Sequence, residues 1–251
     1  MNNIFLFDVD GTIAVGDIIL DSTIKALEDL RTKGNIVMLS TGRCIGQMKD
    51  LLQRIKIDGA ICNNGAYAYI GNDVIFESPI SRDVINQMLN DGLHVTFLAR
   101  DSYFRLDDLK IYDDFAKVFN IVPAELQDKN YLMNNNIYSI GVQDYILDFD
   151  VTKYDLNFIK VCNLGYDVIN KGINKSTPIK YIKEKYKNYR IISFGDNLND
   201  LEMLKASDIS IAMGQAPEVV KKNATYLTKK PLEDGIKYAI DNYLGELLWV
   251  R

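Results

Sequence analysis

Short apolar runs alternate with amphipathic stretches through the first part of the chain: "IFLF", "STIKALEDLRTKG", "NIVMLS", "CIGQMKDLLQRIK" and "GAICNNGA". This is a β-α-β-α-β rhythm and predicts a parallel sheet. In the first amphipathic stretch Ile24, Leu27 and Leu30 share one face with the stem of Arg31. Asp21 or Ser22 stands where a helix cap belongs, and Gly34 ends the helix. The rhythm returns near the other end in "TPIKYIKEKYK", "RIISFGDNLND", "LEMLKAS", "ISIAMG", "APEVVKKNA" and "TYLTK". Both ends therefore read as one α/β unit.

Residues 81–165 follow a different pattern. Helices are predicted in "SRDVINQMLNDG" and "DDLKIYDDFAKVFN", strands in "HVTFLA", "IYSIGVQ" and "LNFIKVCN", and a surface connection in the polar run "QDKNYLMNNN". The first and last thirds each hold only part of a sheet. The expected fold class is thus α/β: a discontinuous parallel-sheet core of residues 1–80 and 166–251, with a second α/β lobe of residues 81–165 inserted into it.

Composition narrows the function classes. A chain of 251 residues suits one large domain, or a domain with an insert. Acidic residues outnumber basic ones, 34 to 29, so no general field draws nucleic acid or an anionic membrane. Cys44, Cys62 and Cys162 are too scattered for a disulfide framework, and the apolar run at Ile4 lacks a basic leader and a cleavage site. A soluble, cytoplasmic protein is expected. No apolar segment approaches bilayer-spanning length, and neither low-complexity tracts nor repeats occur.

The chemistry concentrates where apolar runs end. In an open parallel sheet ligands bind outside the carboxyl ends of the strands, and Asp8 and Asp10 emerge there in "IFLFDVDGT". Two close carboxylates resist ionising together unless a cation such as Mg2+ sits among them. Gly11 lets the backbone turn closely and Thr12 offers a hydroxyl. An ordinary Asp-Gly turn would account for this segment alone equally well. A calcium loop fits worse, because Ile19 occupies the position of the bidentate glutamate.

A second run, "NIVMLSTGR", ends in Ser40, Thr41, Gly42 and Arg43, where a hydroxyl and close backbone amides suit a phosphate oxygen. By itself it is also a common strand-to-helix turn. A third, "IISFGDNLND", delivers Gly195, Asp196, Asn197, Asn199 and Asp200. The same arrangement three times in one sheet argues against coincidence. Lys175, just before the helix leading into that third strand, supplies a cation for Asp8 and a bound phosphate, with Lys171 as a local competitor.

"DVDGT", "STGR", Lys175 and "GDNLND", in this order across the whole chain, resemble the haloacid dehalogenase (HAD) superfamily of phosphotransferases. "NNGA" at residues 63–66 and "AMGQAPEVVKKNATYLT" resemble its Cof-type branch of sugar phosphatases. The resemblance implies a Rossmann-like parallel-sheet HAD core with an inserted α/β cap domain. Spacing argues independently for the cap's place: residues 13–40 leave room only for a loop and one helix, whereas residues 42–174 separate the second motif from Lys175. The resemblance also implies Asp8 as nucleophile and Asp10 as proton donor and acceptor. Mg2+ would be held by the Asp8 side chain, the Asp10 carbonyl and Asp196, with Asp200 orienting metal-bound water. Thr41 and Lys175 would hold the phosphoryl group, Asn199 would assist, and Gly11, Gly42 and Asn64 would complete the phosphate and substrate contacts. Relatives that cleave carbon–halogen bonds lack the second aspartate and transport ATPases carry threonine there, so Asp10 points to phosphate-ester hydrolysis. Ser176 departs from the branch, where glycine often follows the lysine; a serine suits a helix cap.

Other phosphatase chemistries fail on residues. Six positions beyond the cysteines stand Asp50, Ala68 and Val168, not arginine, so no thiolate phosphatase loop exists. The lone His94 cannot form a histidine-rich metal cluster, and is read as a packed or surface residue of the cap. No nucleotide-binding P-loop occurs. Tyr67, Tyr103, Phe104 and Arg105 are of types that could contact a sugar but read more readily as packing or surface, and Asn64 doubles as a turn residue of positive φ before Gly65. The function expected is Mg2+-dependent hydrolysis of small phosphate esters: hexose or pentose phosphates, or a vitamin-linked phosphate such as pyridoxal phosphate. The alternatives are a sugar-phosphate mutase or phosphotransferase, which needs a bisphosphate activator, and a non-catalytic phosphate-ligand sensor, for which Asp10 would be superfluous. A modest cap suggests an accessible pocket and broad specificity.

Overall fold

The computed structural model describes residues 2–119, 121–146 and 148–245. The fold is α/β, and its first strand explains most of it. β1 (Asn2–Phe7) is buried from Asn3 onward and alternates its side chains between two cores. Phe5 and Phe7 enter one core with Leu39 and Phe194; Ile4 and Leu6 enter the other with Met38 and Ile191. A strand covered on both faces must be apolar at every position, which is why it reads as a continuous run.

From β1 the chain passes through α1 (Asp21–Thr32), β2 (Ile36–Ser40), α2 (Lys49–Arg54), β3 (Gly59–Cys62), β4 (Tyr67–Ile70) and β5 (Asp73–Glu77). It then enters the second lobe: α3 (Arg82–Asn90), β6 (Val95–Leu98), β7 (Tyr103–Arg105), α4 (Lys110–Phe119), β8 (Glu125–Leu126), α5 (Lys129–Asn134), β9 (Ser139–Gln143), β10 (Leu156–Cys162) and β11 (Gly165–Asn170). It returns as α6 (Thr177–Lys185), β12 (Tyr189–Gly195), α7 (Leu201–Ala206), β13 (Ile209–Ala212), α8 (Glu218–Lys221), β14 (Tyr226–Leu227) and α9 (Gly235–Ala239).

Among the described residues the core sheet has the order β14-β13-β12-β1-β2-β3-β4-β5. It is parallel from β14 to β3, with β4 and β5 antiparallel at the edge. Phe7 lies opposite both Leu39 and Phe194, so β1, β2 and β12 end at one level. That register alone brings the residues after Phe7, Leu39 and Phe194 to one side of the molecule. The Phe7 and Phe194 rings stack with centroids 4.7 Å apart directly beneath them.

The second sheet, β10-β11-β9-β6-β7-β8, has one covered face. Ile85 of α3 and Leu132 of α5 pack against Val95, Phe97, Phe104, Ile140 and Val168. Strand alternation sends Thr96, Leu98, Tyr103, Gly141, Gln143 and Asp167 to the opposite face, which looks towards the ends of β1 and β2 across a cavity.

Several local expectations change. Neither Asp21 nor Ser22 caps α1: Leu20 occupies the cap, and the Ser22 hydroxyl donates instead to the carboxylate of Asp234. Ser176 does not cap α6 with its side chain either; its hydroxyl donates to Asn174 Oδ1 at 2.6 Å. The segment "CIGQMKDLLQRIK" divides into a turn of 3₁₀ helix, Ile45–Met48, and the short α2. The polar run "QDKNYLMNNN" is not a plain connection: it contains α5, capped by the Asp128 carboxylate accepting from the Tyr131 N–H at 2.8 Å and anchored by buried Leu132. A core boundary at residue 166 falls inside β11, which pairs with β10 and β9, so the second sheet runs on to Asn170. Asn120, the last residue of the predicted helical stretch "DDLKIYDDFAKVFN", and residues 246–251 of the expected core lie outside the described residues. Arg105 is a structural residue of the lobe, bonded to Asp108 at 2.6 Å and Asp113 at 3.0 Å, and His94 meets Asp144 at 3.3 Å. No helix among the described residues is long and apolar enough to cross a membrane.

Candidate active site

Asp8 follows β1 and is almost fully buried, as is Lys175. The Lys175 ammonium donates to Asp8 Oδ1 at 2.7 Å and to Asp200 Oδ1 at 2.6 Å. Asp200 is wholly buried, and its other oxygen accepts the N–H groups of Asp196 and Asn197, both at 3.0 Å. Asp196 accepts from the Thr12 hydroxyl at 3.3 Å and from the Gln215 amide at 3.2 Å. Gly11, at φ +88°, passes so close that a Cβ would stand 2.4 Å from Asp196 Oδ2. The close-turn role expected of Gly11 therefore has a named cause, the carboxylate beside it.

Carboxylate oxygens of Asp8, Asp196 and Asp200 lie within 4.8 Å of one another. Burial pushes the Asp8 carboxyl well above its ordinary range, the Asp200 charge adds to this, and Lys175 opposes it. Asp196 is raised for the same first two reasons. For Lys175 burial works against the ammonium, but Asp200 and Asp8 outweigh it and hold the group above the usual lysine value. Three carboxylates face one ammonium, so the ionised cluster has an excess of negative charge. A hard all-oxygen donor set with unspent charge fits a small divalent cation such as Mg2+. Asp200, whose oxygens already accept three donors, is suited to orienting its neighbours; Asp8 and Asp196 keep lone pairs for an ion.

Beside this cluster opens a cavity of about 440 Å³, lined on the core side by Asp8, Asp10, Thr41, Gly42, Arg43, Asn64, Lys175 and Asn199. The structure thus brings together seven of the residues singled out in the sequence, while Gly11, Asp196 and Asp200 form the wall behind Asp8. The Thr41 hydroxyl accepts the Arg43 N–H at 3.2 Å and keeps its own proton free for a ligand. Gly42 backs onto the Asn64 amide. Asn64 has φ +51°, and its Nδ2 donates to Asp167 Oδ2 at 3.1 Å, tying the "NNGA" loop to the cap. Gly65 beside it, at φ +101°, lies where a Cβ would meet the Asn174 carbonyl at 1.9 Å, so only glycine lets this loop pack on the segment that carries Lys175.

Three participants went unassigned in the sequence. Arg43 forks onto Asp10 at 2.6 and 3.0 Å. Both oxygens of Asp10 thus accept from one guanidinium, so offering the carboxyl to any other partner means turning it off Arg43. Gln215 was visible within the Cof-type stretch "AMGQAPE", but only the fold carries it to Asp196. Asp167 sits in a strand with no sequence signal, and burial raises its carboxyl to about 6. The folded-state value lies above the ordinary 3.8, so the folded protein holds that proton to higher pH than the unfolded chain, and the carboxylate weighs against the fold once pH has risen through about 6. Asp167→Asn is therefore expected to raise Tm by about 2–4 °C near pH 8, roughly 1 kcal/mol for a partly solvated group, with the gain gone by about pH 4. Thermal unfolding of both proteins across that range checks it.

A mostly parallel α/β sheet thus gathers three aspartates and a lysine at its carboxyl edge, facing the second sheet across the cavity. The sequence profile of the haloacid dehalogenase-like hydrolases matches residues 5–240, and the chain belongs to that family. It falls with the Cof-type phosphatases of the HAD superfamily, and its relatives bear this out. The Bacillus subtilis protein YkrA is 28% identical over 252 residues, covering 95% of this chain and 96% of that one. YcsE of the same organism, a 5-amino-6-(5-phospho-D-ribitylamino)uracil phosphatase, is 26% identical over 94% of both chains. The solved structure of BT4131, a HAD subclass IIB sugar phosphatase, superposes with a TM-score of 0.76 at 26% identity, covering 96% of this chain and 99% of that one.

Proposed function

We propose that the protein is a cytoplasmic, Mg2+-dependent phosphatase of small phosphorylated metabolites, sugar phosphates foremost, acting through an aspartyl-phosphate on Asp8. One observation carries the reading: Asp8 is a buried carboxylate at a strand end, paired with Lys175 and within reach of Asp196 and Asp200.

In this reading the Asp8 carboxylate attacks phosphorus and the ester P–O bond breaks. Asp10, released from Arg43 and protonated, gives its proton to the leaving alkoxide. It then takes a proton from the water that attacks the aspartyl-phosphate, so that inorganic phosphate leaves and both carboxyl groups regain their starting states. Thr41, Lys175 and the amides around Gly42 hold the phosphoryl oxygens, with Asn64 and Asn199 beside them. Asp8, the Asp10 carbonyl and Asp196 would hold Mg2+, with Asp200 behind, and the ion would supply positive charge that offsets the repulsion between carboxylate and phosphate dianion. The named activities of YcsE and BT4131 support small phosphate esters as the substrate class.

Phosphate release from a panel of sugar phosphates, phosphoglycolate, nucleotides and pyridoxal phosphate tests this. Turnover is expected with Mg2+ and should fall by at least about a hundredfold in EDTA, returning with excess Mg2+. Release that ignores EDTA, or no release from any ester, would overturn the reading.

A further inference from the structure

Phosphate chemistry leaves part of the cavity roof unused. Asp167 on β11 spends one oxygen on Asn64, and no cation pairs with it among the described residues. An ionised carboxylate can accept about four hydrogen bonds, so most of its capacity faces the cavity. Tyr103 on β7 lines the same cavity, but its hydroxyl is shielded beside Thr96 and lies out of reach of a ligand. Thr96 and Gln143 are already satisfied by each other at 2.9 Å. Around these groups the lining is apolar, with Leu98, Phe115 and Val161.

A half-buried carboxylate in a mostly apolar wall, with one protein partner, is open to a hydrogen-bond donor on a ligand. Asn64 touches Asp167 on one side and the Gly42 turn on the other, which puts Asp167 one side chain away from the phosphate cradle. That is where the alcohol half of a bound ester must lie. We infer that Asp167 determines substrate choice: it accepts from an O–H or N–H of the leaving alcohol, and the substrate is the monophosphate of a neutral, ring-sized alcohol with an apolar face. The negative charge of Asp167 excludes alcohols that carry a second anion, such as glycolate. This rests on the phosphatase reading for the identity of the ligand, not for the chemistry of the roof.

The test compares kcat/KM for glucose 6-phosphate and ribose 5-phosphate, p-nitrophenyl phosphate and phosphoglycolate in wild type and Asp167→Asn, both checked for folding by circular dichroism. Asp167→Asn should lower the sugar-phosphate to p-nitrophenyl phosphate ratio at least about tenfold, mostly through KM, and the sugar-phosphate to phosphoglycolate ratio by about a hundredfold. Equal losses on all esters, or unchanged ratios, would overturn the inference while leaving a phosphatase in place. Calorimetric binding of the same esters to Asp8→Asn and to Asp8→Asn/Asp167→Asn reads selectivity without turnover. Should wild type hydrolyse nothing, the phosphatase reading falls, and the calorimetric ratio alone upholds or overturns the assignment of Asp167.

Discussion

Asp8→Asn is expected to reduce phosphate release to below about one ten-thousandth of wild type and, without Mg2+, to raise the melting temperature. The first half follows from losing the attacking oxygen: an amide cannot form the acyl-phosphate. The second follows from the charge count. Asp8 is ionised only against burial and against Asp200, and Lys175 does not fully compensate. Its folded-state value is raised, so the folded protein retains a proton that the unfolded chain releases above the ordinary 3.8, and stability declines as pH rises from there through the folded value. The substitution removes that decline, while Lys175 keeps Asp200 at 2.6 Å as its partner. The gain in Tm should therefore grow with pH across the interval. Mg2+, which stabilises wild type by binding only the folded form, should stabilise the variant less. Phosphate release and thermal scans with Mg2+ or EDTA measure both halves. Activity above about one per cent would mean another nucleophile, and a lower Tm at neutral pH would mean that the attraction to Lys175 outweighs the repulsion.

The gathering of the candidate site at one edge was legible in the sequence because each of its groups follows an apolar run, and parallel strands in register end together. Asp8 after β1, Thr41 after β2 and Asp196 after β12 need only the pairing of Phe7 with Leu39 and Phe194 to meet. Where a contact depends on distant partners, local pattern is silent. Ser22 has good capping chemistry but is recruited by Asp234, 212 positions away. The helix in "QDKNYLMNNN" has little propensity of its own and stands on one buried leucine and a capping aspartate. The hold of Arg43 on Asp10 exists only because β1 and β2 are neighbours. Asp167 escaped for the same reason: "GYDVIN" is short and mixed, and the strand owes its existence to pairing on both sides with β9 and β10. The roof residues follow the rule for strands, alternate positions on one face, yet that rule cannot be applied before the strand is known.

Lys175→Met should cost more stability than any substitution on the surface. It keeps the volume of the side chain and leaves Asp8 and Asp200 buried without their cation. Breaking a buried pair from one side costs about 3–5 kcal/mol, which for a chain of this size lowers Tm by roughly 10 °C or more. The penalty should persist across the neutral range. Lys175 is raised when folded, so its contribution is complete below the unfolded value of 10.5 and is lost only as pH climbs through the higher folded value. Turnover should fall by about a thousandfold, because in the proposed reaction the same ammonium holds the phosphoryl group. Two further measurements separate electrostatics from packing. Mg2+ should raise the Tm of Lys175→Met by more than it raises that of wild type, since the emptied site is more negative. Adding Asp8→Asn to Lys175→Met should raise stability by more than Asp8→Asn alone raises that of wild type, a coupling between the two positions that strict additivity would exclude. If the double variant shows only the sum of the single effects, Lys175 is held in place by packing, and the charge balance assigned to this edge of the sheet is wrong.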